Sequence, residues 1–166
     1  MQLTHYNSKF ESKQFPIVLI CDNVTSATNI GSIMRTADAF GVAKVYFCGQ
    51  QLEFSKKAAR ASRAAEKYVD FELNTDIIEL TESLKAKGYF IMSLEITSSS
   101  LPIHQIDFRV KDRIAIILGD ENFGIRATVL QVSDAIGHID MHGKNSSMNV
   151  VQAASIALYE ITKQLM

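Results

Sequence analysis

The chain has 166 residues, of which 47% are hydrophobic and 21% charged, close to the averages for ordinary soluble globular domains. This composition excludes a disordered chain, a collagen-like repeat and a small disulfide scaffold. Seventeen Lys and Arg residues against eighteen Asp and Glu residues give a formal net charge of −1, so no overall basic field attracts nucleic acid. Any site for a polyanion must therefore come from local clustering of basic residues.

Apolar runs and helical periodicity alternate along the chain. In chain order they predict a strand at residues 16–21, a helix at 30–40, a strand at 42–48, helices at 55–67 and 76–87, strands at 89–94, 113–118 and 136–141, and a helix at 150–165. This alternation predicts an α/β fold in which a mostly parallel sheet is covered by helices on both faces. No low-complexity linker interrupts the chain, so we expect residues 1–166 to form a single domain.

The sequence lacks the patterns that are typical of secreted, membrane-spanning and metal-binding proteins. Cys21 and Cys48 lie in separate apolar runs without CxxC spacing, which predicts two buried thiols in a reduced, cytoplasmic protein. The first residues contain no apolar segment typical of a secretion signal, and no apolar run approaches the roughly 18 residues that span a bilayer. His138 and His142 are four residues apart, but no third ligand accompanies them, so we expect no metal site.

Three segments are richer in glycine and polar residues than connecting loops require. Residues 29–35 (NIGSIMR) open the first helix, residues 118–124 (LGDENFG) follow a buried strand, and residues 142–149 (HGKNSSMN) precede the last helix. Each has a plain structural explanation as a helix cap or a turn, with Asn29 the expected cap of the first helix. The segment at 97–108 has little periodicity and predicts a surface loop at the end of a strand, where ligands bind in open α/β sheets.

Four basic residues recur at helical spacing in the predicted helix 55–67. Lys56, Arg60, Arg63 and Lys67 occupy positions i, i+4, i+7 and i+11, which places them in one stripe. A solvated helix face explains such a stripe equally well. In a chain of net charge −1, however, it is the best candidate for a surface that follows RNA phosphates.

Taken together, the three polar segments resemble the motifs of the SpoU class of SPOUT methyltransferases, the TrmH family of RNA ribose 2′-O-methyltransferases. NIGSIMRTADAFG is similar to the family motif with Asn, an Arg six residues later and a closing Phe-Gly. ILGDENFGI is similar to Gly-x-Glu-x-x-Gly, and MHGKNSSMNVVQAA to a Gly followed by Ser-Leu-Asn-Val and a helix. All three occur in the family's order, so the resemblance covers nearly the whole chain.

The resemblance implies a fold and an activity that spacing alone does not predict. In this family the C-terminal segment threads through a loop to form a deep trefoil knot, an exception to unknotted topology. The knotted loops bind S-adenosylmethionine, and two subunits of a homodimer complete each active site. The implied reaction transfers a methyl group from S-adenosylmethionine to a ribose 2′-hydroxyl of RNA.

The resemblance also implies which residues form the site. By position, the cofactor-binding residues are Leu94, Glu95, Ile96, Gly119, Ile139, Met141, Ser147 and Met148. The catalytic and supporting residues are Arg35, Asn29, Glu121, Ser147 and Asn149. The sequence departs from the family at Asp140, where Pro is frequent, at Met148 in place of Leu, at Val151 in place of Ser, and at Ala64 in place of Gly.

Two roles are open for Arg35. Proposals for the family make the motif arginine the base that removes the hydroxyl proton. Because a guanidinium keeps its proton at physiological pH, we favour a second hypothesis, in which Arg35 binds the adjacent phosphate and stabilises the developing alkoxide. Glu121 and Asn149 then hold the arginine and the loop backbone in place, and Asn29 supports Arg35.

Many relatives carry a separate RNA-binding domain, which the motifs leave no room for within residues 1–166. We therefore expect this domain to find RNA with its own surface, and we favour tRNA over rRNA as the substrate. Two other functions stay open. One is a non-catalytic RNA-binding or assembly factor that retains the fold, and the other is a small-molecule α/β enzyme using another nucleotide. The absence of GxGxxG and Walker motifs speaks against the latter.

Overall fold

The computed structural model describes residues 11–120 and 122–166. The helices and strands in chain order are β1 (Phe15–Asp22), α1 (Ala27–Ala39), β2 (Val42–Cys48), α2 (Lys56–Ser62), β3 (Asp70–Thr75), α3 (Ile77–Ala86), β4 (Phe90–Leu94), β5 (Leu101–Pro102), β6 (Ile114–Leu118), α4 (Ala127–Val132), β7 (Ala135–His138) and α5 (Val150–Leu165). Short 3-10 turns lie at Ala65–Lys67 and Ile103–Gln105.

The strands form one seven-stranded sheet in the order β3-β2-β1-β6-β4-β7-β5, and every pairing is parallel. β6 lies at the centre between β1 and β4, and all five of its residues are buried. This arrangement confirms the predicted α/β fold. Because the strands are parallel, the ends of β4, β6 and β7 meet at one edge of the sheet.

Both faces of the sheet are covered, as predicted. On β1, Ile17 and Leu19 face a core shared with α1 and α5, whereas Val18 and Ile20 face a second core shared with α3 and α4. The alternation follows from the two-residue period of a strand, and continuous apolar runs are typical of strands buried on both faces. No helix in the described ranges is long and apolar enough to cross a membrane.

The predicted helix 55–67 is wrong beyond residue 62. Arg63 (φ 54°) and Ala64 (φ 70°) both adopt the left-handed conformation, which ends α2 and turns the chain into a 3-10 turn. The fully buried Ser62 hydroxyl bonds to the Ala59 carbonyl oxygen and to the Glu66 carboxylate across this break. The four basic residues therefore do not share one continuous helix.

Two further expectations require correction at the first helix and the predicted loop. α1 begins at residue 27, because Ser26 is its cap and accepts a hydrogen bond from the Asn29 backbone N–H, whereas Asn29 lies inside the first turn. Residues 97–108 contain the short β5 and a 3-10 turn. Sequence analysis missed β3 and α4 as well. β3 is an edge strand with no fully buried residue, and α4 has only six residues.

Candidate active site

The segments that follow β4, β6 and β7 line a pocket of about 200 Å³ together with the start of α5. All eight residues predicted to bind the cofactor lie in its wall, namely Leu94, Glu95, Ile96, Gly119, Ile139, Met141, Ser147 and Met148. The parallel strands explain the assembly, because they bring chain segments that are far apart in sequence to the same sheet edge. The pocket also includes residues that sequence analysis did not select, among them Leu118, Asp120, Gly124 and His138.

The charges in the pocket wall restrict which ligands fit. Glu95 and Asp120 contribute carboxylates, and among the described lining residues there is no lysine or arginine. Leu118, Ile139 and Val150 supply apolar surface. A wall of this kind suits a ligand with an apolar body and a positive charge, whereas a polyphosphate would meet carboxylates and no cationic side chain.

The Glu95 carboxylate joins two of the segments that form the pocket. Its Oε1 accepts a hydrogen bond from the Ile96 backbone N–H at 3.0 Å, and its Oε2 accepts one from the Ile125 backbone N–H at 3.0 Å. Gly124 lies against this carboxylate with φ 66°, and a Cβ there would lie 2.5 Å from Oε2. Both the φ angle and this contact favour glycine at 124, and Glu95 connects the segment after β4 to the segment after β6.

The segment after β6 forms a tight turn between Asp120 and Gly124. The Gly124 N–H donates to the Asp120 carbonyl oxygen at 2.8 Å, and Asp120 Oδ1 accepts from the N–H groups of Asn122 at 2.8 Å and Phe123 at 3.0 Å. A Cβ on Gly119 would lie 2.6 Å from the Gly124 carbonyl carbon, so the backbone at the turn's ends is closely packed. The predicted catalytic residue Glu121 lies outside the described residues.

The start of α1 and the start of α5 meet through two of the predicted catalytic residues. Asn149 Nδ2 donates to Asn29 Oδ1 at 3.2 Å, and Asn149 Oδ1 caps α5 by accepting from the Val151 N–H at 2.8 Å. Asn29 is buried and Asn149 is exposed, so this amide contact lies at the edge of the packed interior. The structure thus joins the first and third motifs directly, and the third motif also supplies Ser147 to the pocket wall.

Arg35 lies on α1, six residues after Asn29, with an exposed side chain. Its side chain makes no hydrogen bond or ion pair with any residue at positions 11–120 or 122–166. The wall of the pocket does not include it. As far as the described residues are concerned, the guanidinium is therefore available to an external anion such as a phosphate.

The four predicted RNA-binding residues, Lys56, Arg60, Arg63 and Lys67, are all exposed although α2 breaks between them. Tyr68, with 75% of its surface accessible, directly follows Lys67. α2 packs tightly against α1, since a Cβ on Gly31 would collide with the Ala58 carbonyl oxygen. Lys56 and Arg60 therefore lie on the helix next to the one that carries Arg35, whereas Arg63 and Lys67 lie in the turn that follows it.

A buried carboxylate that sequence analysis missed fixes the far end of the turn. Asp22 ends β1 with 1% of its side chain exposed, and Arg126 Nη2 lies 2.7 Å from its Oδ1. The Arg126 backbone N–H also approaches Asp22 Oδ2 at 3.4 Å. The hydrogen bond to Asp22 raises the pKa of Arg126. Burial, followed by the charge of Asp22, raises the pKa of the neighbouring Cys48 thiol to about 12.

Asp140, the residue that departs from the family's frequent proline, lies beside two histidines. Its Oδ1 is 3.4 Å from His138 Nε2, and its Oδ2 is 3.9 Å from His104 Nδ1. His138 Nδ1 also contacts the Ser100 hydroxyl at 2.9 Å. Within the described residues no group of three or more His, Cys, Asp and Glu side chains is arranged to hold a metal ion. Cys21 and Cys48 are free and buried, as predicted.

Curated relatives share most of this chain but extend beyond it. The chain is 32% identical over 151 residues to a 23S rRNA (guanosine-2′-O-)-methyltransferase, RlmB, of Acinetobacter baylyi, covering 89% of this chain and 60% of the relative. It is 25% identical over 163 residues to a tRNA (guanosine(18)-2′-O)-methyltransferase of Aquifex aeolicus, covering 98% of this chain and 76% of the relative.

Solved structures share the fold. The SpoU methyltransferase AviRb from Streptomyces viridochromogenes, in complex with the cofactor AdoMet, superposes with a TM-score of 0.81 at 25% identity, over 91% of this chain and 60% of that chain. A structure described as giving insight into the 2-OH methylation of C/U34 on tRNA superposes with a TM-score of 0.79 at 24% identity. The superposition covers 90% of this chain and 95% of that chain, so the two are similar in length.

The match to a family model agrees with the three motifs and with the fold. The model of the SpoU rRNA Methylase family matches residues 16–159, which include all of the motifs and all seven strands except the first residue of β1. The chain therefore belongs to the SpoU rRNA Methylase family.

Proposed function

We propose that this protein transfers a methyl group from S-adenosylmethionine to the ribose 2′-hydroxyl of a nucleotide in RNA. The observation that carries the proposal is the assembly of all eight expected cofactor-binding residues in one pocket at the carboxyl edge of the sheet. The names of the relatives from Acinetobacter baylyi and Aquifex aeolicus support the same reaction class.

The chemistry of the pocket fits S-adenosylmethionine. Its Glu95 and Asp120 carboxylates complement the positive charges of this cofactor, and its apolar wall suits the adenosine. Gly119, Ile139 and Met141 would supply the backbone and apolar contacts, and the Ser147 hydroxyl a further hydrogen bond. When bound, S-adenosylmethionine supplies an electrophilic methyl group. A nucleotide polyphosphate is disfavoured, because the described lining residues carry no basic side chain.

The chain's own residues must orient the ribose hydroxyl, hold its phosphate and stabilise the negative charge that develops on the oxygen as its proton passes to solvent. We propose that Arg35 binds the phosphate and stabilises the alkoxide. Its exposed guanidinium has no carboxylate partner among the described residues. Asn29 and Asn149 form the amide contact that joins the start of α1 to the cofactor loop. Glu121 and Ser147 complete the proposed group, with Glu121 in a supporting role.

The proposed substrate is tRNA rather than rRNA. Lys56, Arg60, Arg63 and Lys67 are exposed on elements packed beside α1, which would lead an RNA strand towards Arg35. A tRNA substrate is also supported by the superposition on the structure that concerns C/U34 methylation on tRNA, which covers 90% of this chain. We propose that residues 1–166 form one catalytic domain that finds RNA with this surface.

A homodimer is part of the proposal. The outer face of α5 exposes Ile156 at 43% and Tyr159 at 62%, and a second copy that covered them would remove apolar surface from water. We also propose the family's trefoil knot for the C-terminal half. The reaction would take place in the cytoplasm, with the RNA.

The proposal is tested first by calorimetric titration of the purified protein with S-adenosylmethionine. We expect micromolar binding at about one site per chain. Tritium transfer from labelled S-adenosylmethionine to unmodified tRNA, followed by alkaline digestion, then identifies a 2′-O-methyl group by its resistance to cleavage. Absence of cofactor binding by the folded protein, with RNA binding retained, would instead support a non-catalytic RNA-binding factor.

A further inference from the structure

Phe123 is the most exposed large hydrophobic residue in the described part of the chain, with 87% of its surface accessible. It lies in the turn at residues 120–124, and the residues at the two ends of this turn, Asp120 and Gly124, both line the pocket. Single exposed apolar residues are common on protein surfaces, and Phe123 is distinguished by its place next to two residues that line the pocket. A ligand that extends beyond the pocket past Asp120 and Gly124 would meet this ring.

The backbone that carries Phe123 is held at several points. Its own N–H donates to Asp120 Oδ1 at 3.0 Å, and the turn is closed by the Gly124 N–H on the Asp120 carbonyl oxygen at 2.8 Å. Immediately after the turn, the Ile125 N–H binds Glu95, and Arg126 pairs with Asp22. A ring presented from such a support loses little backbone entropy when a ligand packs on it.

The ligand must offer a flat face, because a phenyl ring has no hydrogen-bonding group. Under the proposed function, on which this inference rests, a ribose hydroxyl must approach the pocket, and its nucleobase comes with it. Proteins recognise unpaired RNA nucleotides by stacking aromatic side chains on the base, whereas bases within a duplex already stack on each other. We propose that Phe123 stacks on a nucleobase at the methylation site, so that the protein acts on an unpaired nucleotide.

The absence of tryptophan from the sequence allows a direct test. In Phe123→Trp the introduced indole is the single tryptophan, and stacking on a base quenches its fluorescence. The probes are single-stranded decauridylate and decaadenylate, and a ten-base-pair RNA duplex of mixed sequence. A matched control is Val110→Trp, at a position that is 72% exposed and precedes β6, at the opposite edge of the sheet. We expect saturable quenching of Phe123→Trp by both single strands, little by the duplex, and little in the control.

Affinity provides a second measurement. Fluorescence anisotropy with labelled decauridylate should show that Phe123→Ala binds roughly 5- to 150-fold more weakly than the wild type, the usual range for one stacked base. Phe123→Leu, which keeps an apolar side chain without a flat ring, should lose a similar factor, whereas Phe123→Tyr should retain binding. Because Phe123 is exposed and outside the pocket wall, the affinity for S-adenosylmethionine should not change.

Three outcomes would overturn the inference. One is equal quenching of both tryptophan variants, another is unchanged RNA affinity of Phe123→Ala, and a third is dissociation of a dimer by Phe123→Ala, which would assign the ring to a second copy. Failure of the proposed function can be distinguished from failure of this inference, because the proposed function is tested by S-adenosylmethionine binding to the wild-type protein. A wild type that binds no S-adenosylmethionine contradicts methyl transfer even where single strands quench Phe123→Trp.

Discussion

Arg126 and Asp22 form an ion pair whose two side chains differ greatly in exposure. The Asp22 side chain is 1% exposed and that of Arg126 is 59% exposed, with 2.7 Å between Arg126 Nη2 and Asp22 Oδ1. The guanidinium can therefore be hydrated without its partner, whereas the carboxylate cannot. This pair connects the end of β1 to Arg126, which is the second residue after the turn at 120–124.

Because of this difference in exposure, we expect Arg126→Ala and Asp22→Asn to lower the free energy of unfolding by different amounts. Arg126→Ala leaves a buried, unpaired carboxylate and should lower the free energy of unfolding by about 3–5 kcal/mol. Asp22→Asn leaves a mostly hydrated arginine and should cost about 1–2 kcal/mol. Urea unfolding of both variants and of the double variant measures the coupling. Equal costs would contradict the assignment of the burial penalty to Asp22.

Gly31 is required by the contact between α1 and α2. In Gly31→Ala the new Cβ would collide with the Ala58 carbonyl oxygen and lie 2.7 Å from Ala61 Cβ. We expect a loss of roughly 3 kcal/mol in the free energy of unfolding, because two backbones must separate. Gly143→Ala is the control, since nothing lies within 4 Å of a Cβ there. It should change stability by less than about 0.5 kcal/mol.

Ala64 stands where the family has glycine, and the structure shows why glycine suits the position. Its φ of 70° is left-handed, a conformation that strains any residue with a Cβ. Ala64→Gly should therefore raise the free energy of unfolding by up to about 1 kcal/mol, although glycine adds entropy to the unfolded chain. Ala59→Gly, inside α2, should lower it by about 0.5–1 kcal/mol. A lower free energy of unfolding in Ala64→Gly would contradict the claim that the left-handed conformation strains Ala64.

The raised pKa of the Cys48 thiol predicts that the free energy of unfolding falls at alkaline pH. Its pKa is raised from 9.0 to about 12 by burial and then by the charge of Asp22. Above pH 9 the unfolded chain releases this proton while the folded chain retains it, so the free energy of unfolding falls as the pH rises. Between pH 8 and pH 10 the thiol contributes a loss of about 1.4 kcal/mol. Urea unfolding of the wild type and Cys48→Ala should show a shallower decline in the variant.

Local sequence signals predicted the central part of the fold. The strand at 42–48 and the helix at 150–165 have the predicted bounds, because strong apolar patterning coincides with clear ends at Gly41 and Asn149. β3 lacked such a signal, since an edge strand needs no continuous apolar run. The break in α2 has no local signal either, because Arg63 and Ala64 are ordinary helix formers whose left-handed conformation depends on packing.

The site was predictable to the extent that the motifs define it. The resemblance placed eight of the residues that line the pocket. Gly119, Met141, Ser147 and Met148 lie inside the quoted motifs, whereas the other four were placed by their position after a predicted strand or beside a motif. The links between segments were not predictable. Glu95 bonds to Ile125 across 30 positions, and Asp22 to Arg126 across 104, and only the order of the parallel strands brings these partners together.

Substitution of Arg35 separates its two possible roles. If Arg35 holds the phosphate and stabilises the alkoxide, Arg35→Lys keeps a cation and should retain measurable methyl transfer with a raised KM for RNA. Arg35→Ala should reduce kcat by about 100-fold or more, because one preorganised donor is lost. Neither should alter the calorimetric affinity for S-adenosylmethionine, because Arg35 is outside the pocket wall.

Two comparisons make the Arg35 result specific. Arg113→Ala removes an exposed arginine that precedes β6, at the edge of the sheet opposite the pocket, and should leave kcat and KM unchanged. Arg60→Ala removes a proposed phosphate contact, so KM for tRNA should rise while kcat is retained. Complete loss of transfer in Arg35→Lys, with unchanged RNA affinity, would contradict electrostatic stabilisation. It would instead favour a role in which the shape of the guanidinium at the reacting hydroxyl is essential, as the base hypothesis requires.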